Sequence, residues 1–155
     1  MGMKRSGQSA DSMVDEWVEQ FIKAAIEAMG RLGMECVNHA RRIPKDIGFE
    51  DHTGNLRSSI GFKLFVDGVS VREDYKLVLN GREGMEKGRA LADEVGQRCK
   101  TDQIMLVVTA GMEYAIYVES KGRDVITSAE SLCFEKLPEL RAKIDELVRN
   151  AVRRK

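Results

Sequence analysis

The chain has 155 residues, which suits one ordinary domain, and 32% of them are charged. Aromatic residues make up only 6%, so the core must come mainly from aliphatic side chains and methionine. Basic and acidic residues balance at 25 each, and this zero net charge argues against a dedicated nucleic-acid-binding protein. The longest apolar run, at residues 104–110, is too short to span a membrane. Three widely spaced cysteines predict reduced thiols, and residues 1–10 lack the apolar stretch of a secretory signal.

A long amphipathic helix is predicted near the N-terminus. Ser12 is its predicted cap, following a frayed polar tail over residues 1–11, and residues 12–155 are predicted to form a single domain. Apolar residues recur at spacings of three and four from Val14 to Ile43, and Pro44 ends the pattern. At 1.5 Å per residue such a helix is about 45 Å long, so one end should project or pack on another subunit.

Two strands joined by a tight turn are predicted next. Residues 59–67 alternate in polarity, with one apolar face made of Ile60, Phe62, Leu64 and Val66. Asp67-Gly68 is a strong hairpin signal. The return strand is predicted over residues 69–79, with a bulge or a longer loop at Glu73, where the alternation breaks.

The second half of the chain predicts a further helix, a strand and an ambiguous segment. Residues 85–99 show a weak helical pattern that glycines dilute, whereas residues 104–110 are apolar and β-branched, as expected for a central strand. Residues 112–119 fit either a strand or a short helix.

A capping box predicts the start of the last helix. Thr127 stands at the cap with Glu130 three residues later, and Pro138 should kink or restart the helix. The whole order predicts an α+β fold with a long N-terminal helix, a small antiparallel sheet with a β-hairpin, a middle helix and a C-terminal helix.

Few residue patterns suggest catalysis, and one alternative stays open. His39 and His52 have no ligand partners at metal-binding spacing, and the chain has no phosphate loop or nucleophile elbow. Glu119 and Lys121, however, have the Glu-x-Lys spacing of metal-dependent nucleases, with Asp102 upstream as the second carboxylate. In such a site the two carboxylates would hold Mg²⁺ and the lysine would orient or activate water.

Two segments resemble a known family. Residues 51–60 read DHTGNLRSSI ahead of the first strand, and residues 111–119 read GMEYAIYVE after the central strand. Together they resemble the head–tail joining and tail-completion proteins of tailed bacteriophages and prophages. In that family a TGxLRxSI stretch enters the sheet and a YAxYVExG stretch follows a central strand. This chain differs in that residues 120–124 stand where family members commonly place a glycine and a threonine.

The resemblance implies a non-enzymatic structural protein of a phage or prophage particle, with no cofactor. It would form a homo-oligomeric ring, often a hexamer, between the portal-side connector and the tail tube protein. It would assemble in the bacterial host cytoplasm and become part of the virion, with no small-molecule substrate, membrane contact or specific nucleic acid. The candidate interface or motif residues are Trp17, Thr53, Gly54, Asn55, Leu56, Arg57, Tyr114, Tyr117 and Glu119.

The motif residues also carry physical expectations of their own. Gly54 should take a positive φ in a turn, and Leu56 and Ile60 should be core residues. Arg57 is expected to pair with Glu119, tying the two motifs together. The two tyrosines suit either a subunit boundary or a half-buried surface, so both contact with a partner and stabilisation of the monomer remain open.

Overall fold

The structure is a computed structural model, and it describes residues 9–154. The fold is α+β, as predicted, with five helices and three strands among the described residues. In chain order the elements are α1 (Ala10–Arg41), α2 (Asn55–Ser59), β1 (Ile60–Val66), β2 (Val69–Tyr75), α3 (Arg82–Gly96), β3 (Ile104–Ala110), α4 (Ala115–Ser120) and α5 (Thr127–Arg153).

Helix α1 begins one turn earlier than the sequence predicted. Ser9 is the cap, because its hydroxyl accepts a hydrogen bond from the backbone N–H of Ser12 at 3.3 Å. The predicted cap at Ser12 is therefore wrong. Ala10 and Asp11 belong to the helix rather than to a tail, and residues 1–8 of the predicted tail lie outside the described residues. The helix ends at Arg41, ahead of Pro44, as the proline predicted.

The sheet has the strand order β2-β1-β3, and both pairings are antiparallel. The hairpin confirms the Asp67-Gly68 turn, but β2 ends at Tyr75 rather than at residue 79. Leu64 pairs with Arg72 while Phe65 pairs with Ser70, which leaves Val71 as the extra residue of a bulge. The bulge was predicted at Glu73 and lies two residues earlier, at Val71.

Strand β1 is buried on both faces because helices cover both sides of the sheet. Ile60 and Phe62 pack into the main core with residues of α1, and Phe65 packs with Ala92 of α3 in a second core. Lys63 points to the α3 side and is almost fully buried, with its Nζ 2.7 Å from Asp93 Oδ1. The alternation predicted that this face of β1 would be polar. The face is polar at Lys63, but it lies in the interior, where the lysine is ion-paired.

Helix α3 starts at Arg82 and ends at Gly96, three residues earlier at each end than predicted. Gly84, which lies before the predicted range, and Gly88, one of the glycines that diluted the pattern, permit close packing on α2. A Cβ on Gly84 would lie 1.9 Å from the Asn55 carbonyl oxygen, and a Cβ on Gly88 would lie 2.4 Å from that of Ser59. The glycines therefore bring the two helix backbones into contact.

Helix α5 runs antiparallel to α1 and packs along it. His39 Nε2 lies 2.8 Å from Ser128 Oγ, and Lys136 Nζ lies 3.9 Å from Glu35 Oε2, so residue numbers fall on one helix as they rise on the other. The helix continues through Pro138, so the predicted restart does not occur. With 32 residues α1 is about 48 Å long.

Candidate functional site

The first motif forms a turn that leads into α2, a short helix that the sequence did not predict. The carboxylate of Asp51 accepts hydrogen bonds from the backbone N–H groups of Gly54 at 2.9 Å and Arg57 at 2.7 Å. Thr53 Oγ1 accepts from the N–H of Asn55 at 3.2 Å. Gly54 has φ +80°, as predicted, and a Cβ there would lie 1.9 Å from the Val78 carbonyl oxygen. This position therefore requires glycine.

The same turn holds the start of α3. Asn55 Oδ1 accepts a hydrogen bond from the backbone N–H of Gly84, 29 residues later, at 3.1 Å. Ser58 Oγ accepts from the N–H of Val78 at 2.8 Å. Leu56 is buried in the main core, as predicted. Asn55 thus supplies the cap that α3 lacks locally, since its N-cap residue is Gly81.

Arg57 caps the C-terminal end of α1. Its guanidinium donates to the carbonyl oxygens of Arg41 and, at 3.4 Å, Ile43, and it lies 4.7 Å from the centre of the Phe49 ring. A cation at this position satisfies helix carbonyls and complements the negative end of the helix dipole. The predicted pair with Glu119 is wrong, because Arg57 is fully engaged at this helix end.

Glu119 caps the N-terminal end of α5. Its Oε1 accepts hydrogen bonds from three backbone N–H groups, those of Val125 at 3.2 Å, Ile126 at 2.8 Å and Thr127 at 3.0 Å, and from the Thr127 hydroxyl at 3.0 Å. Partial burial raises the pKa of Glu119, but these hydrogen bonds outweigh it and hold the pKa below its usual value. Thr127 is the first helical residue and its hydroxyl binds Glu119, so the predicted capping box is wrong.

The exposed residues of the second motif form an apolar surface on α4. Ala115 is buried, whereas Tyr114, Ile116 and Tyr117 are 41%, 80% and 59% exposed. Lys121 Nζ lies 4.4 Å from the centre of the Tyr117 ring. We call Tyr114, Ile116 and Tyr117 the α4 patch. Exposed apolar side chains such as these are candidates for contact with a partner.

A second apolar surface lies at the start of α1. Met13, Val14, Trp17 and Val18 are 42–60% exposed, whereas burial of the apolar stripe begins at Ala24. The Trp17 and Phe21 rings stack with centroids 5.5 Å apart. We call Met13, Val14, Trp17 and Val18 the α1 patch. The exposed apolar residues thus precede the part of the long helix that is buried against the rest of the chain.

The residues of the nuclease alternative do not converge. Asp102 precedes β3, where its backbone N–H binds Asp67 Oδ1 at 2.7 Å, and Glu119 follows the other end of the same strand. The Glu119 carboxylate caps α5, and Lys121 lies over the Tyr117 ring. Within residues 9–154 no three His, Cys, Asp or Glu side chains are grouped so that they could hold a metal ion.

The two histidines and the buried Cys36 are other side chains that could carry chemistry, and their contacts are as follows. His39 binds the Ser128 hydroxyl, and His52 is exposed beside Glu50 at 3.6 Å. Burial, and the neighbouring Cys133, raise the pKa of the Cys36 thiol to about 12, which favours its protonated form. Sequence reasoning missed the role of Asp51, although an aspartate three residues before a glycine is a common turn signal.

Comparison of the chain with protein-family models, with curated proteins and with solved structures found no match. Among the helices of residues 9–154, none is long and apolar enough to cross a membrane.

Proposed function

We propose that this protein is a non-enzymatic structural component of a phage or prophage particle that completes the head–tail junction by forming a ring. The two sequence motifs support the proposal, because they resemble those of head–tail joining and tail-completion proteins. The partners would then be the portal-side connector, the tail tube protein and further copies of this chain. Assembly would take place in the bacterial host cytoplasm, and the ring would become part of the virion.

The observation that carries the proposal is the α4 patch. The buried and charged motif residues all serve the monomer, since Arg57 and Glu119 cap the two long helices and Asn55 caps α3. Tyr114 and Tyr117 have no such task, and together with Ile116 they are apolar side chains exposed to solvent. The second motif therefore combines a structural residue with a surface suited to a partner.

The positions of the two patches suit a head-to-tail contact between copies. The α4 patch lies near the end of α1, because Tyr117 and Lys45 line one groove and Arg123 donates to the Lys45 carbonyl oxygen at 3.2 Å. Trp17 lies 24 residues before Arg41, which is about 36 Å along α1. Two different apolar surfaces at opposite ends of one subunit form a heterologous interface, which closes into a ring when the rotation allows.

The nuclease alternative has no observation in its favour. The backbone of Asp102 is held by the Asp67 carboxylate in the turn before β3, and the carboxylate of Glu119 is engaged by the start of α5. A plasmid-nicking assay with Mg²⁺ tests it directly. Cutting that disappears in Lys121→Ala would overturn the structural role, whereas an intact plasmid agrees with it.

The oligomeric state tests the proposed function. Multi-angle light scattering across a range of protein concentrations should give one closed oligomer for the full chain. Trp17→Ser and Tyr117→Ser should each lower the fraction of that oligomer at equal concentration without loss of folded structure. Val69→Ser is the matched control, because Val69 is equally exposed at the hairpin and lies outside both patches. Equal behaviour of all three variants would contradict the proposal.

A further inference from the structure

Two cysteines lie at the same level of the antiparallel pair of helices α1 and α5. The contact between His39 and Ser128, at 2.8 Å, lies on one side of them, and the ion pair that Lys136 makes with α1, at 3.9 Å, lies on the other. Cys36 falls between these two contacts on α1, and Cys133 falls between them on α5. The helix register therefore places the two cysteines opposite each other.

The two thiols meet at the edge of the main core. Cys36 belongs to that core and is 1% exposed, and Cys133 packs against the same core but is partly exposed. Burial is the main cause that raises the pKa of Cys36 to about 12, and the charge and the hydrogen bond of the neighbouring Cys133 side chain add to it. A hydrogen bond between the two side chains makes their sulfur atoms neighbours, as a disulfide requires.

A groove that is open to solvent lies beside the pair. It has a volume of about 430 Å³, lies between β3, α1 and α5, and is lined by both cysteines. Phe134 and Leu137, which also line it, are 65% and 44% exposed. Because Cys133 is partly exposed and Cys36 is buried, a small reagent that enters this groove reaches Cys133 first.

We propose that Cys36 and Cys133 form a dithiol site that a low-molecular-weight disulfide, such as oxidised glutathione, converts into an intramolecular disulfide. The thiolate of Cys133 attacks one sulfur of the reagent, which forms a mixed disulfide and releases the first glutathione. The sulfur of Cys36 then loses its proton and attacks the sulfur of Cys133, which releases the second glutathione. Two protein thiols are oxidised, the disulfide of the reagent is reduced, and the two protons end on the two glutathione thiols.

The disulfide joins α1 to α5 in the part of the pair where they pack on the core. It closes a loop from residue 36 to residue 133, which is most of the chain, and a crosslink across so long a loop restricts the unfolded state strongly. A reducing compartment keeps the pair as thiols, and an oxidising one converts it. The site goes beyond the proposed ring and does not depend on it, because it lies within one chain.

Thiol mapping on the folded full chain tests the proposal. The protein is incubated with oxidised glutathione at neutral pH, quenched with acid, alkylated in denaturant and digested for mass spectrometry. The bond between Cys36 and Cys133 should form with no glutathione retained, and excess reduced glutathione should restore both thiols. Cys99 is the internal control and should stay a free thiol, because it is buried in the second core with its Sγ 3.6 Å from the Gln103 carbonyl oxygen.

Variants separate the two steps of the exchange. Cys36→Ala should stop at the mixed disulfide and retain one glutathione on Cys133, whereas Cys133→Ala should retain none, because Cys36 is buried. Oxidation should raise the Tm of wild type by about 5–15 °C in circular dichroism. The same treatment should raise the Tm of Cys99→Ala by a similar amount and leave that of Cys133→Ala unchanged.

The map of the wild-type protein decides the matter even if a variant does not fold. The proposal would be overturned by a wild type in which Cys36 and Cys133 stay free under oxidised glutathione. A mixed disulfide that persists on Cys133, a bond that includes Cys99, or a bond between two chains in place of the internal one would overturn it equally.

Discussion

Removing the carboxylate of Glu119 should destabilise the protein through the start of α5. Three backbone N–H groups and the Thr127 hydroxyl converge on its Oε1 at 2.8–3.2 Å, and the negative charge lies at the positive end of a 27-residue helix. Loss of a helix cap costs about 0.5–2 kcal/mol, and a favourable charge at the helix end adds about 0.3–1 kcal/mol. For Glu119→Ala we therefore expect a loss of about 1–3 kcal/mol in the free energy of unfolding.

Chemical and thermal denaturation followed by circular dichroism measure this loss. For a chain of this size it corresponds to a fall in Tm of about 2–12 °C. Glu119→Gln keeps an acceptor oxygen without the charge, so its loss should be about 1 kcal/mol. Glu113→Ala is the matched control, because Glu113 is almost fully exposed and 3.9 Å from Lys87, and its effect should stay within about 0.5 kcal/mol.

The pH dependence gives a second test of the same capping role. The pKa of Glu119 is lower in the folded protein than in the unfolded chain, so its contribution is present above about pH 4.3, the ordinary value for glutamate. The contribution is lost as the pH falls through the folded-state pKa. The difference between wild type and Glu119→Ala should therefore shrink in acid. A difference below about 0.5 kcal/mol at neutral pH, or one that persists unchanged in acid, would refute the argument.

Three further substitutions have expected outcomes. Gly54→Ala should destabilise the protein by more than about 2 kcal/mol in denaturant titrations, because its Cβ would overlap the Val78 carbonyl oxygen at a φ of +80°. Arg57→Lys should cost about 1–2 kcal/mol in the same assay, because an ammonium cannot reproduce the planar fork that binds the Arg41 and neighbouring carbonyls. Burial raises the pKa of Tyr75 to about 12, so Tyr75 should contribute a loss of stability from about pH 10 upward, and Tyr75→Phe should make that loss smaller in a pH series of unfolding curves.

The sequence correctly predicted those elements that depend on interactions between residues close together in the chain. The Asp67-Gly68 turn and the β-branched run of β3 were found where the sequence placed them, with β3 matching at both ends. Pro44 likewise predicted the end of α1. These signals work because a turn, an extended apolar run and a missing amide hydrogen act within a few residues.

Caps supplied from a distance were not predictable in the same way. Asn55 caps α3 across 29 residues, and Glu119 caps α5 from the preceding helix. A local motif such as Thr127-x-x-Glu130 therefore gave the correct helix start with the wrong capping residue. The expected pair between Arg57 and Glu119 failed for a related reason, since each charge is used at the end of a different helix.

The candidate surfaces were predictable only in part. The length of α1 and the place of Trp17 on its apolar stripe follow from the sequence, but the stripe alone does not show that Trp17 is exposed or that burial starts only at Ala24. The ambiguity at residues 112–119 hid the α4 patch, because a strand would have placed Ile116 and Tyr117 on opposite faces. The helix instead exposes both of these side chains.

Mixing two complementary variants tests the proposed ring most directly. Trp17→Ser copies keep the α4 patch, and Tyr117→Ser copies keep the α1 patch, so a one-to-one mixture retains a single intact head-to-tail contact. Native mass spectrometry should show a closed oligomer, such as a hexamer, for wild type. The mixture should give one-to-one heterodimers built on that contact, and no ring. A mixture that restores the full oligomer, or a wild-type chain with no closed oligomer, would contradict the head-to-tail ring.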